Sequence, residues 1–184
     1  MSKGKIFRDA LKRGMVTAPG CFECMGARAI ERAGFEAVYM TGAGTSATLG
    51  YPDYGLITMT EMVANASRIA NSVQVPLISD SDTGYGNELN MFRTVQEFER
   101  AGIAAIHVED QVFPKKCGHL ENKELVSRED YIAKIRAAAA AKRTSDFTII
   151  ARTDSRAVAG FDEAIARANL ALANGADAVF VEAP

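Results

Sequence analysis

Short aliphatic runs rich in β-branched residues alternate along this chain with longer stretches in which apolar positions recur every three or four residues. The short runs, bounded by turn residues, read as buried strands; the longer period reads as amphipathic helix. Strands are expected at Val16–Ala18, Ala37–Thr41, Leu77–Asp80, Ala105–Glu109, Thr148–Arg152 and Ala178–Glu182. Helices are expected between them, over 23–33, 58–72, 89–101, 128–143 and 161–174, with a short amphipathic helix over 3–13 ahead of the first strand. Thr58 with Glu61, and Ser127 with Asp130, have the spacing of capping boxes at two helix starts. Gly34, Gly102 and Gly175 each stand between a helix end and an apolar run. A glycine there takes the left-handed cap conformation, so the chain carries a degenerate repeat of two strand–helix units. Such alternation makes a parallel sheet with right-handed crossovers.

Residues two apart on a strand share a face. Tyr39 with Thr41, Asp80 with Asp82, His107 with Glu109, Ile150 with Arg152, and Phe180 with Glu182 form such pairs. Val38, Ile106, Val108, Ile149, Val179 and Val181 lie between them and suit contact with an outer helix layer. Polar groups gathered at the C-terminal ends of parallel strands are how a (β/α)8 barrel builds its site. A doubly wound sheet is the alternative, but the first strand-to-helix turn, Pro19-Gly20-Cys21-Phe22-Glu23, lacks a G-x-G-x-x-G phosphate fingerprint. The fold class is therefore α/β, a TIM-type barrel. Six strands are found where closure needs eight. The expectation is a single partial barrel domain over residues 1–184, truncated at its C-terminal end, inactive alone and prone to self-association through its open edges.

Composition narrows the partners. A net charge of −2, with Lys and Arg spread along the chain, argues against nucleic acid. The alanine run 137–141 is flanked by charges and far too short for a membrane span. The N-terminus lacks an apolar signal core, so a cytoplasmic or organelle-matrix location is expected. Three cysteines cannot all pair within one chain, which fits a reducing compartment. Cys21 and Cys24 have redox or zinc spacing, yet no second ligand pair stands near them; they read as ordinary half-buried thiols.

Three constellations carry chemistry. Asp80 and Asp82 on one strand face, about 6.6 Å apart, repel unless a cation sits between them, and Glu109 on the next strand adds a third acid. Hard carboxylates without thiolates favour Mg²⁺ or Mn²⁺, held largely through water. Thr41-Gly42-Ala43-Gly44-Thr45-Ser46 is a small-residue turn whose backbone N–H groups can hold a carboxylate or phosphate. Lys115-Lys116-Cys117-Gly118-His119 surrounds a thiol with two cations and an imidazole, which should lower its pKa and make it a competent acid–base or nucleophile. Gly118 would give that loop its backbone freedom. Arg152 ends a buried strand and needs a carboxylate, from a substrate or from Glu182.

Pro52-Asp53, the segment from Asp80 to Asn87, Val108-Glu109-Asp110-Gln111, Lys115 to His119, and Ala151-Arg152-Thr153-Asp154 together resemble the isocitrate lyase/phosphoenolpyruvate mutase superfamily. Within it they are most similar to the small lyases of the 2-methylisocitrate and 2,3-dimethylmalate type, and to chains described as carboxyvinyl-carboxyphosphonate phosphorylmutase. The resemblance implies a modified barrel with Mg²⁺ at the strand ends, bound directly by Asp82 and through waters by Asp80 and Glu109. It implies that Thr41, Gly42, Ala43 and Arg152 hold a substrate carboxylate. Asp53, Lys115, Gly118, His119 and Glu182 would line the pocket, Tyr39 would lie near the reacting hydroxyl, and Cys117 would ride on a mobile loop that closes over the substrate. The implied activity is carbon–carbon cleavage of a 2-hydroxy di- or tricarboxylate to a 2-oxo acid such as pyruvate, in a homo-oligomer that is a tetramer in the full-length family. Phosphorus–carbon chemistry on a phosphonate or enolpyruvate, or oxaloacetate hydrolysis, is the enzymatic alternative. An inactive, self-associating fragment is the non-enzymatic one.

Overall fold

A computed structural model describes residues 1–183. Its core is one sheet of six strands, β1 (Gly20–Cys21), β2 (Val38–Met40), β3 (Leu77–Asp80), β4 (Ala105–Glu109), β5 (Thr148–Thr153) and β6 (Ala178–Val181). All neighbours are parallel, and the order across the sheet is the order along the chain. That order never reverses. A doubly wound sheet must reverse to make its crevice, so the fold is the wall of a TIM-type barrel. The helices are α1 (Lys3–Arg13), α2 (Cys24–Arg32), α3 (Gly42–Thr48), α4 (Met59–Ser72), α5 (Glu88–Arg100), α6 (Arg128–Ala141), α7 (Ser155–Ala159) and α8 (Phe161–Ala173).

Side-chain alternation sorts the two faces as expected along β2, β4 and β5, whereas Val179 of β6 is exposed. Val38, Ile106, Val108 and Ile149 pack outward with Met62, Ile69, Val95, Phe98 and Ile135 of the helix layer. Gly34, Gly102 and Gly175 have φ of 89°, 85° and 109°, the left-handed cap that the repeat required. The reciprocal box at Thr58 and Glu61 is formed. Ser127 is only half a box: its hydroxyl accepts from the Asp130 N–H and donates to the Asp130 carboxylate, which does not reach the cap N–H. Aspartate is one methylene shorter than the glutamate that usually reaches back to the cap N–H.

The first strand lies later than expected. Val16–Ala18 is not paired; Gly20 and Cys21 register with Tyr39 and Met40, and the Tyr39 N–H donates to the Pro19 carbonyl. Val16 and Ala18 instead pack inward with Ile78 and Ile150 around Phe7 of α1. Phe7 also meets Ala37, Ala104 and Ala105 at the starts of β2 and β4, so α1 plugs the N-terminal end of the barrel. Arg8 secures it by donating to the carbonyls of Asp146 and Phe147 and pairing with Asp177. Truncating Phe7 to alanine is expected to cost about 3–5 kcal/mol, measured as a lower urea midpoint at unchanged m-value. Among the described residues no helix is long and apolar enough to cross a membrane.

Candidate active site

The C-terminal ends of the strands enclose a cavity of about 680 Å³. The end of β2 contributes Tyr39 and then Thr41, which opens α3 by accepting the Gly44 N–H on its hydroxyl at 2.7 Å. A tight turn was expected here. Glycine-rich segments are poor helix formers, but the threonine cap and the burial of Gly42, Thr45 and Ser46 hold this short helix together. A Cβ on Gly42 would lie 2.5 Å from the Asp80 carboxylate, so only glycine fits. The Gly42 N–H already donates to Asp80, at 3.2 Å.

Asp80 ends β3 and is buried. Burial works against its ionisation, but the adjoining His107 ring, at 2.7 Å, and Lys115 outweigh that and hold the carboxyl well below the usual range. The same His107 Nε2 stands 3.2 Å from the Tyr39 hydroxyl. Asp82 does not continue the strand. Its φ of 47° is a left-handed conformation rare outside glycine, and it turns the residue back so that its N–H donates to Asp80. Its carbonyl accepts from the Glu109 N–H at 3.0 Å, which sets Asp82 and Glu109 side by side at the ends of neighbouring strands.

Two buried cations answer these acids. Lys115 Nζ lies 2.6 Å from Asp53 and 3.0 Å from Asp82. Burial alone would strip its proton; Asp82 and Asp80 keep it firmly charged. Arg152, at the end of β5, meets Glu109 at 3.3 Å, Asp154 at 3.1 Å and Glu182 at 3.4 Å, and its guanidinium stacks 5.8 Å from the Phe180 ring centre. The choice between a substrate and Glu182 was too narrow, since Asp154 also holds Arg152 through a second bond from Nη2.

The cations leave the acids short of positive charge. Burial and the charge of Asp80 push Asp82 up to about 6, and burial raises Glu109 well above the usual carboxylate range even beside Arg152. Asp82 Oδ1 and Glu109 Oε1 are both buried without a hydrogen bond; Lys115 approaches the former outside a bonding angle. Among the described residues, no three acid, histidine or cysteine groups converge closely enough to form a full coordination shell. The expected three converging acids are thus two orphaned oxygens with Asp80 committed elsewhere. That donor set still fits Mg²⁺, which takes one or two carboxylates and keeps several waters.

Tyr39, Thr41, Gly42, Ala43, Asp53, Asp80, Lys115, Cys117, Gly118, His119, Arg152 and Glu182 all line the cavity, whereas Asp82 and Glu109 lie behind it. Cys117 is half-buried, its N–H held by the Asp53 carbonyl at 3.1 Å. The two lysines expected to bear on its thiol are turned elsewhere: Lys115 to the acids, Lys116 to the Asn122 carbonyl. Gly118 is needed for space rather than for backbone freedom, because a Cβ would collide with Arg152 and come within 2.8 Å of the Glu182 carboxyl carbon. Cys21 and Cys24 are separate free thiols on β1 and the first turn of α2, and burial pushes Cys21 up to about 11.

Sequence reasoning missed His107, Asp154, Lys123 and Phe180 as parts of this site. Strand alternation had placed His107 and Phe180 on the inner face. Nothing local marks Lys123, whose carboxylate partner, Asp154, is thirty-one residues away.

The phosphoenolpyruvate phosphomutase family model matches residues 7–184. The chain is 53% identical, over its whole length, to 2,3-dimethylmalate lyase of Eubacterium barkeri, and 50% identical over 98% of its length to 2-methylisocitrate lyase of Aeropyrum pernix. It spans 64% and 58% of those relatives' own lengths. A crystal structure of 2,3-dimethylmalate lyase superposes with a TM-score of 0.96 at 43% identity, covering 100% of this chain and 63% of that one. A phosphonopyruvate hydrolase complexed with oxalate and Mg²⁺ gives 0.91 at 36% identity, covering 98% and 63%. With a family model spanning nearly all of its residues, the chain belongs to the phosphoenolpyruvate phosphomutase family, within the isocitrate lyase superfamily.

Proposed function

We propose that this cavity is the active site of a Mg²⁺-dependent carbon–carbon lyase that cleaves a 2-hydroxy di- or tricarboxylate of the 2,3-dimethylmalate or 2-methylisocitrate type into a 2-oxo acid and a carboxylic acid. The observation that carries the reading is the pair of buried, unsatisfied carboxylate oxygens, Asp82 Oδ1 and Glu109 Oε1, beside a cavity that also presents a cation and a thiol. The names of the lyases of Eubacterium barkeri and Aeropyrum pernix support the choice of lyase. Asp82, with Asp80 and Glu109 through waters, would hold the metal, which when bound polarises the substrate's hydroxyl and carboxylate.

The chain's own residues do the rest. The Ala43 N–H at the start of α3 and the guanidinium of Arg152 orient substrate carboxylates beside Thr41 and Gly42, whose own N–H groups serve the Cys21 carbonyl and Asp80, and Arg152 has the planar fork for it. Tyr39 serves as a hydrogen-bond donor to the reacting oxygen. Burial and the charge of Asp80 push its phenol far above the ordinary range, so the hydroxyl proton passes to a wall carboxylate rather than to a phenolate. Cleavage leaves an enolate of the departing acid, and Cys117 gives it a proton. The loop from Lys115 to His119 covers the cavity and excludes water, which would otherwise compete for that enolate. By the resemblance that its sequence carries, the protein would act as a homo-oligomer.

Presenting 2-methylisocitrate, 2,3-dimethylmalate and phosphonopyruvate side by side to the protein with Mg²⁺ tests the reading. Release of 2-oxo acid from one of the first two, and none from the third, is expected of the active protein; such turnover by residues 1–184 alone would overturn the expectation that they are inactive. Turnover of phosphonopyruvate alone would assign phosphorus–carbon chemistry instead.

A further inference from the structure

Lys123 is a buried cation that no step of the proposed reaction uses. It lies on the far limb of the loop that carries Cys117, and its ammonium donates to the Gly118 carbonyl and, at 3.1 Å, to Asp154 Oδ1. Asp154 is fully buried and grips Arg152 through Nε and Nη2, each at 3.1 Å. One carboxylate is thus shared between the cavity's guanidinium and the cation that holds the loop.

Asp154 is itself fixed. Its backbone N–H donates to Asp110 at 2.9 Å, and Asp110 also accepts from Thr153 and from Arg167 of α8. Arg167 in turn donates to the Val126 carbonyl, where the loop returns to the body of the protein. The base of the loop is pinned by backbone bonds from Val112 to Glu124 and from Val126 to Asp110. Its near limb is pinned by Gln111, which exchanges two bonds with Lys116. Between them, the Gly118 carbonyl is directly beyond Cys117, and Lys123 is the side chain that ties it to the strand end bearing Arg152.

We propose that Lys123 is a positioning residue: through Gly118 and Asp154 it holds Cys117 over the cavity in register with Arg152. A buried ion pair adds little net stability against an apolar replacement, so its value here is geometric. Removing the ammonium frees the Gly118 carbonyl and leaves Asp154 wholly to Arg152. Removing the Asp154 charge loosens both cations. The two changes therefore separate. Loss of Lys123 displaces Cys117 while Arg152 keeps a partner; loss of the Asp154 charge disturbs the thiol and the carboxylate clamp together.

The test is thiol labelling of the full chain with iodoacetamide, resolved by residue, for Lys123→Met, Lys123→Arg and Asp154→Asn. Cys117 is expected to label about tenfold faster in Lys123→Met and Asp154→Asn, as local opening of the loop allows, with Cys21 and Cys24 unchanged. Lys123→Arg, which keeps the charge, should return toward the parent rate. An unchanged Cys117 rate in both charge-removing variants overturns the proposal. So does a parallel rise of all three cysteines in both, which would make the pair a general structural contact; Asp154→Asn is nearly isosteric and decides the matter if Lys123→Met fails to fold. A kinetic arm rests on the lyase reading: kcat should fall about 10–100-fold in Lys123→Met, with KM within about threefold, while Asp154→Asn changes both. If labelling responds as expected and no lyase substrate turns over, the positioning role stands and the lyase reading fails.

Discussion

Replacing Asp82 by alanine is expected to weaken Mg²⁺ binding by at least about 100-fold, a larger loss than second-layer partners of metal sites usually cause. Asp80→Ala should weaken it less. Asp82 offers a buried oxygen with no hydrogen bond, whereas both oxygens of Asp80 are already engaged by His107, Gly42 and the Asp82 N–H. The pH dependence follows from the same geometry. With its carboxyl pushed up to about 6, Asp82 holds a proton more tightly in the metal-free fold than in the unfolded chain. Metal affinity should therefore fall as pH drops through about 6, where protons compete for the carboxylate. Metal-free stability should fall in the opposite direction, as pH rises from about 4, the unfolded value, through the folded one, because the unfolded chain then binds fewer protons than the native state. Asp82→Asn should flatten that loss, and Mg²⁺ should offset it. Titration calorimetry at pH 5.5 and 7.5, with urea unfolding at the same values, reads both. Equal Mg²⁺ affinity in the parent and in Asp82→Ala would remove the metal site from these residues.

Cys117→Ala is expected to lower lyase turnover by about 10²–10⁴-fold, the range for loss of a general acid, while leaving Mg²⁺ affinity within about twofold. Cys117 lies on the loop over the cavity, and its backbone is tied to Asp53 rather than to the metal-side acids. In the parent, a dicarboxylate with Mg²⁺ should protect Cys117 from labelling. Cys21, whose thiol burial pushes up to about 11, should react slowest of the three. Full turnover in Cys117→Ala would move the proton donor elsewhere.

The barrel was legible because its signals are local and repeated. A glycine after α2, α5 and α8, an apolar run after each of these glycines, and polar residues at every second strand-end position specify order, hand and facing without any tertiary knowledge. Three things were not legible, each for a physical reason. The first strand is two residues long and defined by its partner, so its position depends on pairing with Tyr39 and Met40 that Val16–Ala18 imitates in composition. The helix after β2 contains two glycines and exists because Thr41 caps it and its neighbours bury it. The acids were read as a strand pair because alternation assumes extended backbone; the left-handed turn at Asp82 breaks that assumption. The Lys115 and Arg152 contacts illustrate the deeper limit. Sequence places a lysine beside a cysteine, but folding sends its ammonium to Asp53, sixty-two residues away. Neighbours in sequence say which groups share a loop, and only the folded sheet says which groups share a field.

The most direct test of the account is a crystal structure of the protein with Mg²⁺ and oxalate, whose adjoining carboxylates imitate the carboxylate and oxo group of the 2-oxo acid product. The account predicts the metal about 2.0–2.1 Å from an Asp82 oxygen, with Asp80 and Glu109 joined to it through waters, and oxalate seated against Thr41 to Ala43 and the Arg152 guanidinium beneath Cys117. Oxalate bound outside this cavity, or a metal ligated by other residues with Asp82 and Glu109 still unpartnered, would contradict it.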